Sequence, residues 1–326
     1  MGEPPPTISV CMIVKNEEDL LPQALASVKG FADELIVVDT GSTDGTVAIA
    51  EAAKAKVYHH PWEHDFARHR NQSLDYAGGD WLFVLDADET LTEQGAAALK
   101  QAALDPAIDV ISIPVVSPAA GGERESSHNS VRMFRRRTGI RYAGAVHNEV
   151  DHRGRATFVP ARLIHHGYNL SRARMRAKFE RTAGLLRREM ERDPADPKWP
   201  HYLAVSLHTE NFFAEARTEA RRSLDLCAGE PAALSRWLPN YYVIASAELA
   251  LGDLAQAERA CREALAVNSD YLDAWAVLTS VAFKRDDLAL LDEAAGRFRM
   301  LVEAYRQDPR RFGHTPLHTL AQLPQV

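Results

Sequence analysis

The residues best placed to do chemistry are two carboxylates one residue apart, Asp86 and Asp88. They close the apolar run Trp81-Leu82-Phe83-Val84-Leu85. A run of that length, rich in aromatic and β-branched residues, predicts a buried strand. Open α/β sheets bind ligands just past the carboxyl ends of their parallel strands. Two carboxylates gathered there are costly without a positive partner. A divalent cation that itself holds a phosphate meets that need. The chemistry expected is binding of a metal and a phosphorylated small molecule.

The elements that must position this pair follow from the hydrophobic pattern. Ile8–Val14 predicts a first strand ending at Lys15-Asn16-Glu17-Glu18, followed by a helix with Leu20, Leu21, Ala24, Leu25 and Val28 on one face. Glu34–Asp39 predicts a second strand, and Thr40-Gly41-Ser42-Thr43-Asp44-Gly45 a turn-rich loop that opens a helix at Thr46. A short third strand begins at Val57-Tyr58, a helix covers 66–77, and residues 81–85 form the fourth strand. Strands alternating with helices imply a parallel sheet covered on both faces. Past Asp88 a helix is expected over 91–104, with Glu89 at its start. Strands are expected over 110–115, 130–134, 143–150 and 161–165, as a mixed or antiparallel extension of the same sheet.

From about Ser171 the pattern is nearly all helical. Tyr241 and Trp275, Leu254 and Leu288, and Ala257 and Leu291 each stand 34 residues apart, with Gly252-Asp253 at a turn. That spacing is the tetratricopeptide (TPR) period. An earlier unit over 202–224 is offset by an insertion around 231–239. The expected division is 1–170 for the α/β domain and 171–326 for a TPR-like helical domain.

The bulk properties exclude several classes. The chain has 326 residues and a net charge of -7. No apolar run is long enough to span a bilayer. The start, Met1-Gly2-Glu3-Pro4-Pro5-Pro6, lacks the parts of a signal peptide. Three scattered cysteines, Cys11, Cys227 and Cys261, fit reduced thiols in a cytoplasmic protein rather than a disulfide frame. Residues 124–188 hold sixteen Lys/Arg against four Asp/Glu, on an otherwise acidic chain. That asymmetry points to a local anionic partner, or to solvated helix faces, and not to bulk nucleic-acid binding.

The order of motifs carries more than any one of them: Lys15-Asn16-Glu17, Asp39, Ser42-Thr43-Asp44-Gly45, Phe66-Ala67-Arg68-His69-Arg70-Asn71, Asp86-Ala87-Asp88-Glu89, and finally His165-His166-Gly167-Tyr168. The first half of the chain resembles family-2 glycosyltransferases, which have the Rossmann-like GT-A fold and use nucleotide-sugar donors. It is most similar to members with a helical repeat tail, among them glycocin S-glycosyltransferases and lipopolysaccharide-core glucosyltransferases.

The resemblance implies donor contacts at Val14, Asn16, Glu17, Asp39, Arg70, Asp86, Ala87 and Arg132. Asp86 would meet the ribose, Arg70 the nucleotide or diphosphate, and Arg132 the diphosphate or acceptor. It implies that Asp88 and His165 ligate Mn²⁺ or Mg²⁺ bound with a UDP-sugar, with His166 as the adjacent competitor. Asp39, Asn16 and Glu17 also suit turn or helix caps, and Ser42, Thr43 and Asp44 suit turns better than ligands. Inverting transfer needs a base. Similar enzymes often show His-Glu, where this chain has His147-Asn148-Glu149. Glu149 is the expected base, with His147 and then Asp151 as alternatives. Arg136 and Arg137 are expected in solvent.

Other readings compete. His59, His60, His64 and His69 cluster, but no cysteine joins them and no zinc spacing is met. Trp62 or Phe66 could instead pack near the donor. A sugar nucleotidyltransferase would open with a Gly-rich loop that Val10–Lys15 lacks. A TPR scaffold with an inactive GT-A half would dispense with the Asp86/Asp88 pair. The acceptor stays open between a peptide or protein and a glycan or glycolipid. The basic segment allows peripheral membrane contact, and the helical tail allows a homodimer.

Overall fold

The computed structural model describes residues 4–118, 125–150, 154–167, 172–227, 230–308 and 312. Backbone packing divides the chain into two compact units, 1–175 and 176–326.

The first unit is built on β1 (Ile8–Val14), α1 (Leu21–Ser27), β2 (Glu34–Asp39), α2 (Thr46–Ala52), β3 (Lys56–His59), α3 (Phe66–Tyr76) and β4 (Trp81–Val84). Strands β3-β2-β1-β4 run parallel in that order. The central strands β1 and β4 are buried on both faces, as a sheet covered on both sides requires. The two faces form separate cores. One holds Val10, Met12, Trp81, Phe83 and Leu21. The other holds Cys11, Ile36, Leu82, Val84 and Leu74. Asp65 caps α3 by accepting from Arg68 N at 2.9 Å, which fixes where that helix begins.

Beyond β4 the sheet becomes mixed, as expected, but by a different route. A short strand β5 (Glu89–Leu91) precedes α4 (Glu93–Ala103). Glu89 therefore opens a strand and not the helix. Next come β6 (Val110–Pro118), β7 (Glu125–Arg135), β8 (Tyr142–Ala143), β9 (Glu149–Val150), β10 (Ala156–Phe158) and β11 (Leu163–His165). The sheet continues β4-β7-β6-β11-β5, with β10 beside β6. The single strand expected over 143–150 is instead two short arms, β8 and β9, of a separate antiparallel ribbon. Gly144, at φ 92°, lies between them. The pairing of β5 with β11 sets His165 opposite Glu89. That one register brings the Asp86/Asp88 loop to the late histidine.

Helix α5 (Arg172–Arg192) contains the boundary between the units. The second unit continues with α6 (Lys198–Thr209), α7 (Phe213–Leu226), α8 (Pro231–Arg236), α9 (Pro239–Leu251), α10 (Leu254–Val267), α11 (Leu272–Lys284) and α12 (Leu288–Gln307). The 34-residue repeat is repeated in backbone detail. Gly252 and Asp286 both take a left-handed conformation at the turn inside a helix pair. Asp253 and Asp287 follow, capping Gln256 N and Leu290 N at 3.0 Å. Asn211 makes the same left-handed turn in the earlier pair. Helix α8 is the insertion that breaks the spacing. Among the described residues no helix is long and apolar enough to cross a membrane.

Candidate active site

Asp86 leaves β4 into a nest of guanidinium groups. Arg70, on α3, donates from Nη2 to both Asp86 oxygens at 2.7 and 3.0 Å. Arg132, on β7, reaches Asp86 Oδ2 at 3.5 Å and Glu89 Oε1 at 2.7 Å. Glu89 in turn accepts from Asp86 N at 3.0 Å. Two carboxylates and two guanidiniums thus compensate one another in a largely dry place. Glu89 is 1% exposed and Arg132 8%. Burial pushes the Asp86 carboxyl up, but Arg70 and Arg132 outweigh it and hold it at about 2. Burial dominates at Glu89; with Asp86 and Asp88 adding to it, the carboxyl rises to about 7 against the pull of Arg132.

The Glu89 shift has a measurable consequence. The folded carboxyl titrates above its unfolded value of 4.5, so the fold favours the neutral acid. Stability from this group is complete below 4.5 and is lost as pH rises through about 7. Glu89→Gln does not titrate. Its deficit in thermal midpoint relative to wild type is expected to shrink as pH rises from about 5 to about 8. A deficit that widens over that range would contradict the shift.

Asp88 points elsewhere. Its Oδ2 lies 3.1 Å from Nε2 of His165. Nδ1 of the same ring lies 3.2 Å from Ser117 Oγ on β6. His166, the competitor, turns away to Thr90 Oγ1 at 3.0 Å, while its backbone N–H bonds Asp88 O at 2.7 Å. Gly167 packs against the pair. A Cβ on it would overlap Asp88 Oδ2 and stand 2.7 Å from His165 Nε2. The cradle therefore exists only because residue 167 has no side chain.

A divalent ion fits this arrangement. Metal–oxygen bonds of about 2.1 Å put neighbouring ligands of an octahedral ion about 3 Å apart. No third His, Cys, Asp or Glu joins the pair among the described residues. Ions of this kind complete their shell with substrate phosphates and water. The four early histidines do not gather. His59 meets Asp39, His60 meets Tyr76, His69 meets Gln72, and His64 packs edge-on to Trp62.

The carboxyl ends of β1, β2 and β3 surround a cleft of about 450 Å³ lined by Lys15, Asp39, Thr40, His59, Pro61 and Trp62. Asp39 sits in its wall, 4% exposed. Its carboxylate accepts from Gly41 N at 3.2 Å and Ser42 N at 3.1 Å, and stands 3.3 Å from His59 Nδ1. Burial alone would raise its pKa; those bonds hold it below the usual range. Val14 O accepts from Thr40 N at 2.9 Å. Asn16, left-handed at φ 55°, accepts from Thr43 N at 2.8 Å. Glu17 N donates to Thr46 Oγ1 at 2.8 Å, and its carboxylate lies 3.3 Å from Arg174. Asp44 accepts from Thr46 N at 3.0 Å, a turn role. Ala87 is 5% exposed, its methyl in the core. Phe66 and Trp62 meet edge to face, ring centroids 4.8 Å apart, beside the cleft.

The segment expected to supply a base is tied to α3. Asn71 brackets the backbone of Tyr142, accepting its N–H at 2.9 Å and donating to its carbonyl at 3.0 Å. Arg70 Nε donates to Asn148 Oδ1 at 3.3 Å, and Asn148 Nδ2 donates to Gly144 O. Arg70 also lies over the Tyr142 ring, 5.4 Å from its centroid. Asn148 thus faces inward, while the side chains of its neighbours His147 and Glu149 are exposed. His147 is left-handed at φ 48°. Asp151 and Tyr168 lie outside the described residues. Arg136 and Arg137 are not simply solvated: they bond Gly79 O and Asp109. Sequence reasoning passed over Ser117, Asn71 and the inward turn of Asn148. The only signal it had was the position of Asn71 and Asn148 beside residues already singled out.

This is the α/β class in which ligands lie at the carboxyl ends of parallel strands, here with an acidic loop, an Asp–His pair and a guanidinium nest. Residues 9–178 match glycosyl transferase family 2, and the chain belongs to that family. It therefore has the GT-A fold, followed by a helical-repeat region, and is a glycosyltransferase. A TPR repeat-containing protein of Synechococcus elongatus is 34% identical over 302 residues, 88% of this chain and 74% of that one. The glycosyltransferase SunS of Bacillus subtilis is 30% identical over 230 residues, 68% of this chain and 54% of that one. The chain thus spans about three-quarters of the first relative and about half of the second. A solved glucosyl-3-phosphoglycerate synthase from Mycobacterium tuberculosis, in complex with Mn²⁺ and UDP-glucose, is 25% identical. It covers 34% of this chain and 44% of its own, at a TM-score of 0.30.

Proposed function

We propose that the chain is an inverting, divalent-metal-dependent glycosyltransferase. It moves a sugar from a nucleotide-diphosphate sugar, a UDP-sugar, to a peptide or glycolipid acceptor. The observation that carries this reading is the Asp88–His165 pair at 3.1 Å in the cradle left open by Gly167. Those two side chains would hold Mn²⁺ or Mg²⁺, which supplies positive charge to the departing diphosphate.

The chain's own residues do the rest. The cleft beside Asp39 takes the nucleoside, with Val14, Asn16 and Glu17 on its rim and Trp62 as an apolar wall. Asp86 is kept ionised by Arg70 and Arg132, so it can accept hydrogen bonds from a ribose. Arg70 Nη1, which makes no hydrogen bond among the described residues, is free to donate to a diphosphate oxygen. Glu149 takes the acceptor's proton, with His147 as the alternative base. Both are exposed, as residues meeting an incoming acceptor must be.

The test is a thermal-shift panel of UDP, GDP, CMP and dTDP, each with and without Mn²⁺. A ligand that binds the native state raises the melting temperature with its affinity. The expected result is a manganese-dependent rise with UDP that disappears in Asp88→Ala. No shift with any nucleotide, or an undiminished shift in Asp88→Ala, would overturn the donor assignment.

A further inference from the structure

We propose that His59 reads the nucleobase of the donor: its Nε2 lone pair accepts the imide N–H of uracil or thymine and refuses cytosine. This rests on the reading of the cleft beside Asp39 as the nucleoside site. The resemblance set a donor contact at Asp39 and left His59 only a place in a histidine cluster. Strands β2 and β3 end together there. Asp39 and His59 are partners in the parallel register, and both line the cleft, with Pro61 and Trp62 as apolar walls.

Asp39 is spent inside the chain. Only 5% of its side chain meets solvent, against 64% for His59. Its carboxylate accepts from Gly41 N at 3.2 Å, from Ser42 N at 3.1 Å and from His59 Nδ1 at 3.3 Å. Burial would raise its pKa, but the bonds from Ser42, His59 and Gly41 outweigh it, so the group is ionised at neutral pH. A carboxylate only accepts, so the single proton of a neutral His59 ring sits on Nδ1. Nε2 then carries the lone pair. It points away from Asp39 and makes no hydrogen bond among the described residues. The cleft is thereby offered an acceptor of fixed direction, on a ring held from behind.

The pyrimidines differ at the atom that would meet this acceptor. Uracil and thymine present N3–H, a donor. Cytosine presents a bare N3 lone pair. Two lone pairs make no bond, and each nitrogen gives up its water when the base docks. A hydrogen bond left unmade costs more than a made one contributes, so one ring nitrogen suffices for discrimination of about 10-fold or more. A carboxylate would also refuse cytosine, but Asp39 lies beneath the ring and is already occupied. The preference therefore belongs to the exposed imidazole, and replacing it with a ring of similar shape but no lone pair removes the preference without uncovering Asp39.

The experiment is isothermal titration calorimetry of the full chain with UDP and with CDP, in MnCl₂ at about pH 8, where imidazole carries a single N–H. Wild type and His59→Phe are compared. Wild type is expected to bind UDP at least about 10-fold more tightly than CDP. His59→Phe is expected to bring the two within about threefold, mainly by weakening UDP, with the nucleotide-free melting temperature little changed. The same ratio in both proteins would put the preference on another group, Asp39 included. That would overturn the role of His59 while leaving the nucleoside site intact. UDP and CDP bound alike by wild type would overturn it as well. If wild type binds neither nucleotide, the donor reading itself fails and the role of His59 falls with it.

Discussion

Gly167→Ala is expected to abolish Mn²⁺ binding and transferase activity while leaving the chain folded. The added methyl overlaps Asp88 Oδ2 and comes within 2.7 Å of His165 Nε2 and 2.9 Å of its Cε1. The imidazole has little room to yield, because Ser117 holds its far side and β11 pairs with both β5 and β6. Asp88 is the freer side chain, about one-fifth exposed, so it swings out and the pair comes apart. Loss of stability is limited to local overpacking, about 1–3 kcal/mol. On the proposed reading, loss of function is not limited in this way, because Asp88 and His165 would no longer converge on the ion. The separating measurement is Mn²⁺ affinity beside thermal midpoint: at least about 100-fold in the first, with a cooperative transition kept in the second. Affinity within about threefold of wild type would mean that the methyl is absorbed elsewhere and that the cradle is not the cation site.

What the sequence showed and what it hid divide along contact range. Strands β1, β2 and β4 were legible because interior parallel strands are continuous apolar runs, and their carboxyl ends mark where ligands lie. The helical repeats were legible because Tyr241 and Trp275, Leu254 and Leu288, and Ala257 and Leu291 recur 34 residues apart. Strand β5 was not, since three residues carry no period and its pairing is set by β11, more than seventy residues on. That missed strand is why Glu89 was expected at a helix start, whereas it lies sealed beneath the site. The partners of the arginines were equally hidden. A guanidinium suits a carboxylate and a phosphate alike, so the resemblance that set Arg70 at the nucleotide or diphosphate and Arg132 at the diphosphate or acceptor did not reveal their carboxylate partners. The chain spends three of their six donor nitrogens on Asp86 and Glu89.

The distribution of roles in the loop 86–89 follows from that network. Asp86 and Asp88 alternate along the chain, so one turns inward to the arginines and the other toward His165. Anchoring Asp86 from two sides and Glu89 from beneath fixes the backbone that presents Asp88. Site geometry is thereby bound to the stability of a buried ion cluster, and the same cluster extends through Arg70 to Asn148, next to the expected base.

Arg132→Leu is accordingly expected to cost about 3–5 kcal/mol, the usual penalty for leaving a buried charge without its partner. For a unit of this size that is on the order of 10 °C in melting temperature. The loss comes mainly from Glu89, whose carboxylate keeps, among the described residues, only the bond from Asp86 N and which has 1% of its surface in water. Asp86 retains Arg70 at 2.7 Å and is affected less. The carboxyl of Glu89 already sits near 7 with Arg132 in place, so without it the group takes up a proton more readily still. The penalty is therefore smaller at about pH 5 than at about pH 8, because the neutral acid tolerates the dry site. Removing the stranded acid as well should restore packing. Arg132→Leu/Glu89→Leu is expected to regain most of the lost stability, since buried ion pairs are often replaceable by apolar residues of similar volume. It should not regain activity, because Asp86 and the loop above lose one of their two anchors. Urea denaturation of wild type and the two variants at both pH values decides the matter. A single variant within about 1 kcal/mol of wild type, or a double no more stable than the single, would mean that Arg132 and Glu89 do not form the energetic unit described.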